Sequence, residues 1–250
     1  MNTNAPARRR AGEPCSAIAL SIVIPVFNEA EIVRAAALEL CRKLDARGLA
    51  FELILSENGS TDGTRQILAG LAAQEPRLRF FEGDQPNYGR ALKRGILEAR
   101  GSEVICDEID LCDVEFYQRA LPLLGAGADL VVGSMAMKGS NDARPPLRRV
   151  ATRVITLLLR LTTGFRGTDT HGLKAFRRER MIDVVNACVV ERDLFASELV
   201  IRAQRMGRDV REIPIALEEK RPPSTALLRR VPRVLKGLLR LGWEIRVRHR

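Results

Sequence analysis

Four short clusters of acids, amides and glycines mark the first half of the chain: Phe27-Asn28-Glu29, Glu57-Asn58-Gly59-Ser60, Asn87-Tyr88-Gly89 and Asp107-Glu108-Ile109-Asp110. Each follows an apolar run that reads as a strand. Carboxylates in such places repel a diphosphate unless a divalent cation lies between them. Mg²⁺ or Mn²⁺ prefers oxygen, takes one or two protein carboxylates and completes its shell with water and phosphate oxygens. Glu108 and Asp110, two apart at a strand end, can put both carboxylates on one side for that task. A solvated turn or a helix cap is the competing reading of the same two acids. The commoner phosphate devices are missing, since no G-x-G-x-x-G follows the first strand and no G-x-x-x-x-G-K-[ST] occurs anywhere.

The elements that must hold these clusters alternate in type. Ser21-Ile-Val-Ile-Pro-Val-Phe27 is a continuous apolar, β-branched run, as expected of a strand covered on both faces. A helix is predicted from Asn28-Glu29 to about Arg47, with Gly48 as its stop. Strand, turn and helix then repeat: a strand at Phe51–Ser56, the turn Glu57–Thr64 with Asp62 as helix cap, and a helix to about Gln74. Strands at 78–82, 103–106 and 129–133 and helices at 88–99 and 115–124 continue the pattern. That order predicts a doubly wound α/β sheet with right-handed crossovers and a ligand site at the carboxyl ends of the strands. Beyond a polar loop, Lys138 to Pro146, come a helix over 147–163, a strand over 172–177, a helix over 194–206 and a strand over 210–217. Residues 18–220 read as one domain, 1–17 as a flexible arm and 221–250 as a basic tail.

Composition narrows the classes. The chain has 250 residues, a net charge of +10 and 46% hydrophobic residues, enough for a globular core. From Lys220 onward there are ten basic residues against one acid, Glu244, which leaves 31 basic and 30 acidic residues for positions 1–219. The basic excess therefore belongs to the tail, and with only 4% aromatic residues and no recognised motif a nucleic-acid partner is not expected. Five scattered cysteines without a C-x-x-C pair argue against a disulfide framework or a zinc site and for a reducing compartment. No uninterrupted apolar stretch marks a signal peptide near Arg8-Arg9-Arg10, and none reaches the roughly 20 residues of a membrane span.

Taken together, the segments over about residues 20–225 resemble the family 2 glycosyltransferases, in particular the polyprenyl-phosphate (dolichol-phosphate) mannose synthase branch. Ser21-Ile-Val-Ile-Pro-Val-Phe-Asn-Glu29 is similar to the family's opening strand and nucleotide turn. Glu57-Asn-Gly-Ser-Thr-Asp-Gly-Thr64 is similar to its D-D-G-S-x-D-G-T loop. Tyr88-Gly-Arg-Ala-Leu-Lys-Arg-Gly95 resembles its glycine-rich helix start, and Glu108-Ile-Asp-Leu111 stands where D-x-D-L belongs. Asp169-Thr-His-Gly-Leu-Lys-Ala-Phe-Arg177 resembles D-x-x-S-G-F-R-x-Y-R.

The resemblance implies a GT-A fold, a mixed doubly wound sheet flanked by helices. It implies an inverting, metal-dependent transfer from a nucleoside-diphosphate sugar, with Mg²⁺ or Mn²⁺ on Glu108 and Asp110. Pro25, Phe27, Asn28, Glu29, Glu57, Asn58, Gly89 and Asp107 are the implied nucleotide-binding residues. Asp169, Lys174, Lys220 and Arg221 are the implied catalytic ones, and Lys138, His171 and Lys174 the acceptor or phosphate contacts. A polyprenyl phosphate is the favoured acceptor and needs no general base; the alternatives are a saccharide or soluble hydroxyl, with Asp169 or Glu198 as base, and a non-catalytic module of the same fold. Glu198 has a simpler reading as the partner of Arg202, four residues on.

The departures are specific. One extra residue in the metal motif lets Asp107 replace Glu108 as first acid, and Cys112 falls at or near the next ligand position. Met135 stands where the synthases carry an arginine after the fifth strand, and Lys174 stands at the acceptor-side arginine, offering a point charge in place of a bidentate fork. From Pro232 the tail reads as a basic amphipathic helix ending near Trp243. It suits an anionic membrane surface or a packed position on the body. The expected location is cytoplasmic and peripheral, on the inner face of the cytoplasmic membrane, with a membrane-protein partner or a homo-oligomer compatible with it.

Overall fold

The computed structural model describes residues 18–142, 146–217 and 227–246. The first arm and most of the predicted border between body and tail, Lys220 and Arg221 included, lie outside them.

β1 (Leu20–Val26) and β2 (Phe51–Glu57) are neighbouring inner strands of the sheet, and except for Pro25 every residue in them is buried. Alternate β1 side chains feed two different cores. Ile22, Ile24 and Val26 join α1 (Val33–Asp45), α2 (Thr64–Gln74) and α4 (Val114–Gly125) on one face. Val23 joins α3 (Tyr88–Glu98), α6 (Arg178–Ala187) and α7 (Phe195–Arg205) on the other. This period-2 division into two covered faces explains why the strand reads as an unbroken apolar run.

With β3 (Leu78–Phe81), β4 (Glu103–Cys106), β5 (Leu130–Ser134), β7 (Lys174–Arg177) and β8 (Val210–Pro214), the strand order is β3-β2-β1-β4-β7-β5-β8. β1 pairs in parallel with both β2 and β4, so the order reverses between β1 and β4 and their exits lie side by side. β7 runs antiparallel to both neighbours, with Lys174 opposite Cys106 of β4 and Val132 of β5. An antiparallel strand enters the sheet where parallel strands leave it. The segment before β7 is thereby delivered to the same edge as the β4 acids.

Several sequence expectations change. The first helix begins at Val33 and not at Asn28, because Asn28 takes a left-handed φ of 54° and the chain is first tied to the next loop. α6 was not anticipated; Met181, Val184 and Val185 form its buried face, and it follows β7 without a linker or a side-chain cap. The last expected strand is broken after Pro214, and β9 (Ala216–Leu217) pairs with β6 (Asn141–Asp142) in a separate two-stranded sheet. The tail helix, α8 (Leu227–Arg246), starts before Pro232, which lies inside it. Leu238, Leu241 and Ile245 of α8 are buried in the second core beside Leu159 of α5 (Pro146–Thr163), so one face of the tail packs on the body.

Candidate active site

At the β1 and β2 exits, backbone donors from one loop meet side chains of the other. Asn28 N–H donates to Ser60 Oγ at 3.0 Å, Glu29 N–H to Thr64 Oγ1 at 2.9 Å, and Thr61 N–H to Asn28 Oδ1 at 2.8 Å. Asp62 lies one residue outside the helix cap, Gly63; its carboxylate accepts the Thr64 and Ala30 N–H groups at 2.9 and 3.2 Å. Glu57 is buried and fully engaged: it accepts the Ser60 and Gly83 N–H groups and pairs with Arg65 Nε at 3.0 Å. Asn58 Oδ1 accepts the Asn87 N–H. A small cavity of about 80 Å³ lies here, lined by Ser56, Glu57, Asn58, Phe81, Gly83 and Asn87 among others. Pro25 is half-buried in β1, and Phe27 is 39% exposed at its exit. Gly89 lies against the turn Arg192–Leu194, where a Cβ would come within 2.8 Å of Arg192 N and 2.6 Å of Phe195 Cβ. A cleft of about 510 Å³ runs along that flank of α3, lined by Lys93, Arg94, Leu97 and Val189 among others, and includes none of the β4 acids.

The β4 exit separates three acids by their partners. Asp107 is buried; its carboxylate accepts the Glu108 N–H at 2.6 Å, the Asp113 N–H at 3.1 Å and the Tyr117 hydroxyl. Burial pushes this carboxyl up to about 7, against the lowering effect of those three donors. Asp107 thus holds its own loop in place, with Glu108 and Asp110 next to it at the carboxyl end of β4. Glu108 is open to solvent as a residue, yet the protein crowded around its carboxyl pushes it up to about 7, helped by the charges of Asp110 and Asp107. The Tyr88 hydroxyl is held well above its usual range by burial and then by the charges of Glu108, Cys106 and Asp107, which places this ring beside the acids. In the sequence Tyr88 stands within the helix-start motif, where nothing in its spacing signals that neighbourhood. Cys112 is buried with a φ of 45°, and its N–H donates to Glu108 O at 3.1 Å.

Two carboxylates two residues apart, with the Asp110 charge raising the proton affinity of Glu108, are a donor set suited to Mg²⁺ or Mn²⁺, which needs only one or two protein oxygens beside a diphosphate. Among the described residues no group of three or more His, Cys, Asp and Glu stands ready to hold a metal. The site fits a cation shared with the ligand.

Across the cleft, the β5 exit and the start of β7 are in backbone contact: a Cβ on Gly172 would lie 1.7 Å from Gly133 O. Met135 is buried and donates its N–H to Asp169 Oδ2 at 3.1 Å, while Asp169 Oδ1 accepts the His171 N–H at 2.9 Å. The His171 ring is about one-third exposed, its Nδ1 3.7 Å from Asp169 Oδ1. Lys174 is buried, donates to Gly172 O at 2.7 Å, and has its amine lowered by burial, with Cys106, Asp169 and Glu108 acting against that. Lys138 is exposed on the loop after β5. Glu198 is buried on α7 and bound to Arg202 at 2.7 Å. Glu108 thus has Asp110, His171 and Lys174 as neighbours, Lys174 has Asp169, and Glu198 is held on α7 by Arg202.

Residues 21–185 match the family described as "Glycosyl transferase family 2". The chain belongs to that family. Among curated family members it is 30% identical to "Glycosyltransferase AglD" of Haloferax volcanii over 97% of this chain and 40% of that protein. It is 27% identical to a "Dolichyl-phosphate hexose transferase" of the same organism, over 80% and 83% of the two chains. Identity is 32% to an "Undecaprenyl-phosphate 4-deoxy-4-formamido-L-arabinose transferase" of Pseudomonas fluorescens, over 80% and 58%. The chain thus spans well under two thirds of the first and third of these. The fold matches glucosyl-3-phosphoglycerate synthase from Mycobacterium tuberculosis in complex with Mn²⁺, UDP-glucose and phosphoglyceric acid, with a TM-score of 0.65 at 18% identity over 94% and 86% of the chains. This family 2 chain accordingly has the GT-A glycosyltransferase fold, and Mn²⁺ is present in structures of that fold.

Asp169 yields a pH test. Burial raises its pKa, but the hydrogen bond and charge of His171 and the two backbone donors outweigh it and bring it down to about 2 from 3.8. A carboxylate with a depressed folded-state pKa stabilises the fold fully above its unfolded value, and that stability is lost as pH falls through the folded value. Asp169→Asn is expected to cost about 2 kcal/mol at pH 7 and to remove one acid-unfolding increment between about pH 4 and 2. Urea midpoints of both proteins across that range measure it, and parallel midpoint curves would refute it.

Proposed function

We propose that the protein transfers a sugar, with inversion, from a nucleoside-diphosphate sugar to an oxygen nucleophile that approaches from the Asp169–His171–Lys174 side. The observation that carries this reading is the pair Glu108 and Asp110 at the β1/β4 switch point, beside His171 and Lys174, with the neighbouring Asp107 committed to Tyr117 and Asp113. A divalent cation on that pair would supply neutralisation of the charge on the departing diphosphate. The 27–29 and 57–60 loops would hold base and ribose. Glu57 would act there through the loop it fixes, since its own oxygens are engaged.

Two acceptors have distinct support. The geometry of the described residues favours a hydroxyl. Asp169 can orient His171, whose ring is partly open and near Glu108, to take the hydroxyl proton, whereas Asp169 itself is too acidic to serve as base. The Lys174 side chain is buried, and Lys220 and Arg221 lie outside the described residues, so the accessible phosphate contacts among the described candidates reduce to Lys138 and His171. The relatives that are dolichyl- and undecaprenyl-phosphate sugar transferases favour a polyprenyl phosphate, which arrives ionised. UDP- and GDP-sugars incubated with Mn²⁺ and either a polyprenyl phosphate or a panel of saccharide and phospho-acid hydroxyls separate the two. With a hydroxyl acceptor, His171→Ala should lower kcat by about 10²-fold or more, and with a lipid phosphate by much less. No transfer with any pair, in folded protein, would overturn the reading.

A further inference from the structure

α5 and α8 leave an apolar strip in solvent. On α5, Val150, Val154, Leu157 and Leu161 recur at helical spacing on one stripe and are 53%, 50%, 54% and 64% exposed. On α8, Leu239 and Trp243, one turn apart, are 73% and 64% exposed. The helices touch: Gly242 lies against the Thr162 side chain, and Arg246 Nη2 donates to Leu161 O at 2.6 Å. Their buried sides, through Leu159, Leu238, Leu241 and Ile245, are already spent on the second core. Exposed Arg149, Arg153 and Arg160 flank the α5 stripe, and exposed Lys236, Arg240 and Arg246 flank that of α8. α5 contains no acid, and the one acid of α8, Glu244, is buried.

We propose that α5 and α8 together form a docking face for an anionic lipid bilayer, with α5, an element of the catalytic body, contributing alongside the tail. An apolar strip between cationic flanks, with no exposed acid on either helix, matches an interface whose interior is acyl chain and whose rim is phosphate. A second copy on the same face would set arginine against arginine. No described helix is long and apolar enough to cross a membrane, so the pair lies on the surface. Arg160 Nη2 donates to Gly167 O at 2.8 Å, two residues before Asp169. Docking would therefore hold against the bilayer a helix tied to the segment that leads into Asp169, whichever acceptor is used.

Trp243 is the chain's one tryptophan and a built-in probe. The full chain is mixed with vesicles of phosphatidylcholine alone or with about one third phosphatidylglycerol. It is expected to sediment with the anionic vesicles, with blue-shifted Trp243 emission that salt reverses. Leu157→Glu with Leu161→Glu should reduce partitioning at least about tenfold without changing the thermal melt. Arg149→Ala with Arg153→Ala should reduce it roughly thirtyfold, at about 1 kcal/mol per basic residue. Wild-type binding by the leucine variant would mean that the tail docks alone and would overturn the proposal. So would absence of vesicle binding by the wild type, including the case of a dimer that Leu157→Glu abolishes. Nucleotide-sugar turnover without vesicles reads the transfer reaction separately.

Discussion

Asp110→Ala is expected to abolish metal-dependent nucleotide binding and to lower kcat by about 10²- to 10³-fold, the scale of removing one preorganised stabiliser of developing charge. Asp110 sits on the loop fixed by Asp107, and its charge is one of the causes that hold the Glu108 carboxyl up near 7. Its loss should leave Glu108 easier to ionise and the cation with a single protein carboxylate. Calorimetry with UDP or GDP, with and without Mn²⁺, reads the first effect directly, and single-turnover transfer reads the second. Asp107→Asn is the informative contrast. It alters a buried carboxyl bonded to Tyr117 and Asp113, so it should lower the urea midpoint as well as activity, whereas Asp110→Ala should leave the midpoint near wild type. Metal-independent binding that survives Asp110→Ala unchanged would support a binding module in place of the transferase.

The contrast between these neighbouring acids marks where sequence reasoning reaches its limit. The alternation of apolar runs and helical stretches placed every acid cluster after its strand, and the β1/β4 reversal then brought two of them together. That much is local: a strand buried on both faces announces itself in consecutive residues such as Ile22-Val23-Ile24. Which acid is free is not local. Asp107 is settled by Tyr117, ten residues on in α4, and Glu57 by Arg65 and Gly83, which arrive with α2 and the loop after β3. The place of Lys174 in a motif implies an acceptor contact. Its amine is buried because β7 inserts between β4 and β5, a pairing that no residue of β7 encodes by itself. The same holds for the tail, where spacing separates an apolar face from a basic one but cannot tell that Leu238 is covered while Leu239 is 73% exposed.

Glu198 brings the other large effect, on stability. Its Oε2 accepts the Val189 and Val190 N–H groups at 2.9 and 2.6 Å, and its Oε1 accepts Arg202 Nε at 2.7 Å, all with the carboxylate fully buried. Arg202 already has one buried guanidinium nitrogen without a partner, so Glu198→Ala would leave a nearly buried cation uncompensated and two backbone donors without acceptors. Breaking one side of a buried ion pair costs about 3–5 kcal/mol, a large share of a domain's total stability. The urea midpoint of Glu198→Ala should fall accordingly, and Glu198→Leu with Arg202→Leu should recover much of the loss, because the orphaned charge is then gone as well. Turnover per folded molecule should stay close to wild type at low temperature, since neither oxygen is free to accept a proton from an acceptor. A Glu198→Gln protein of unchanged midpoint but without turnover would reverse the assignment and make this carboxylate the base.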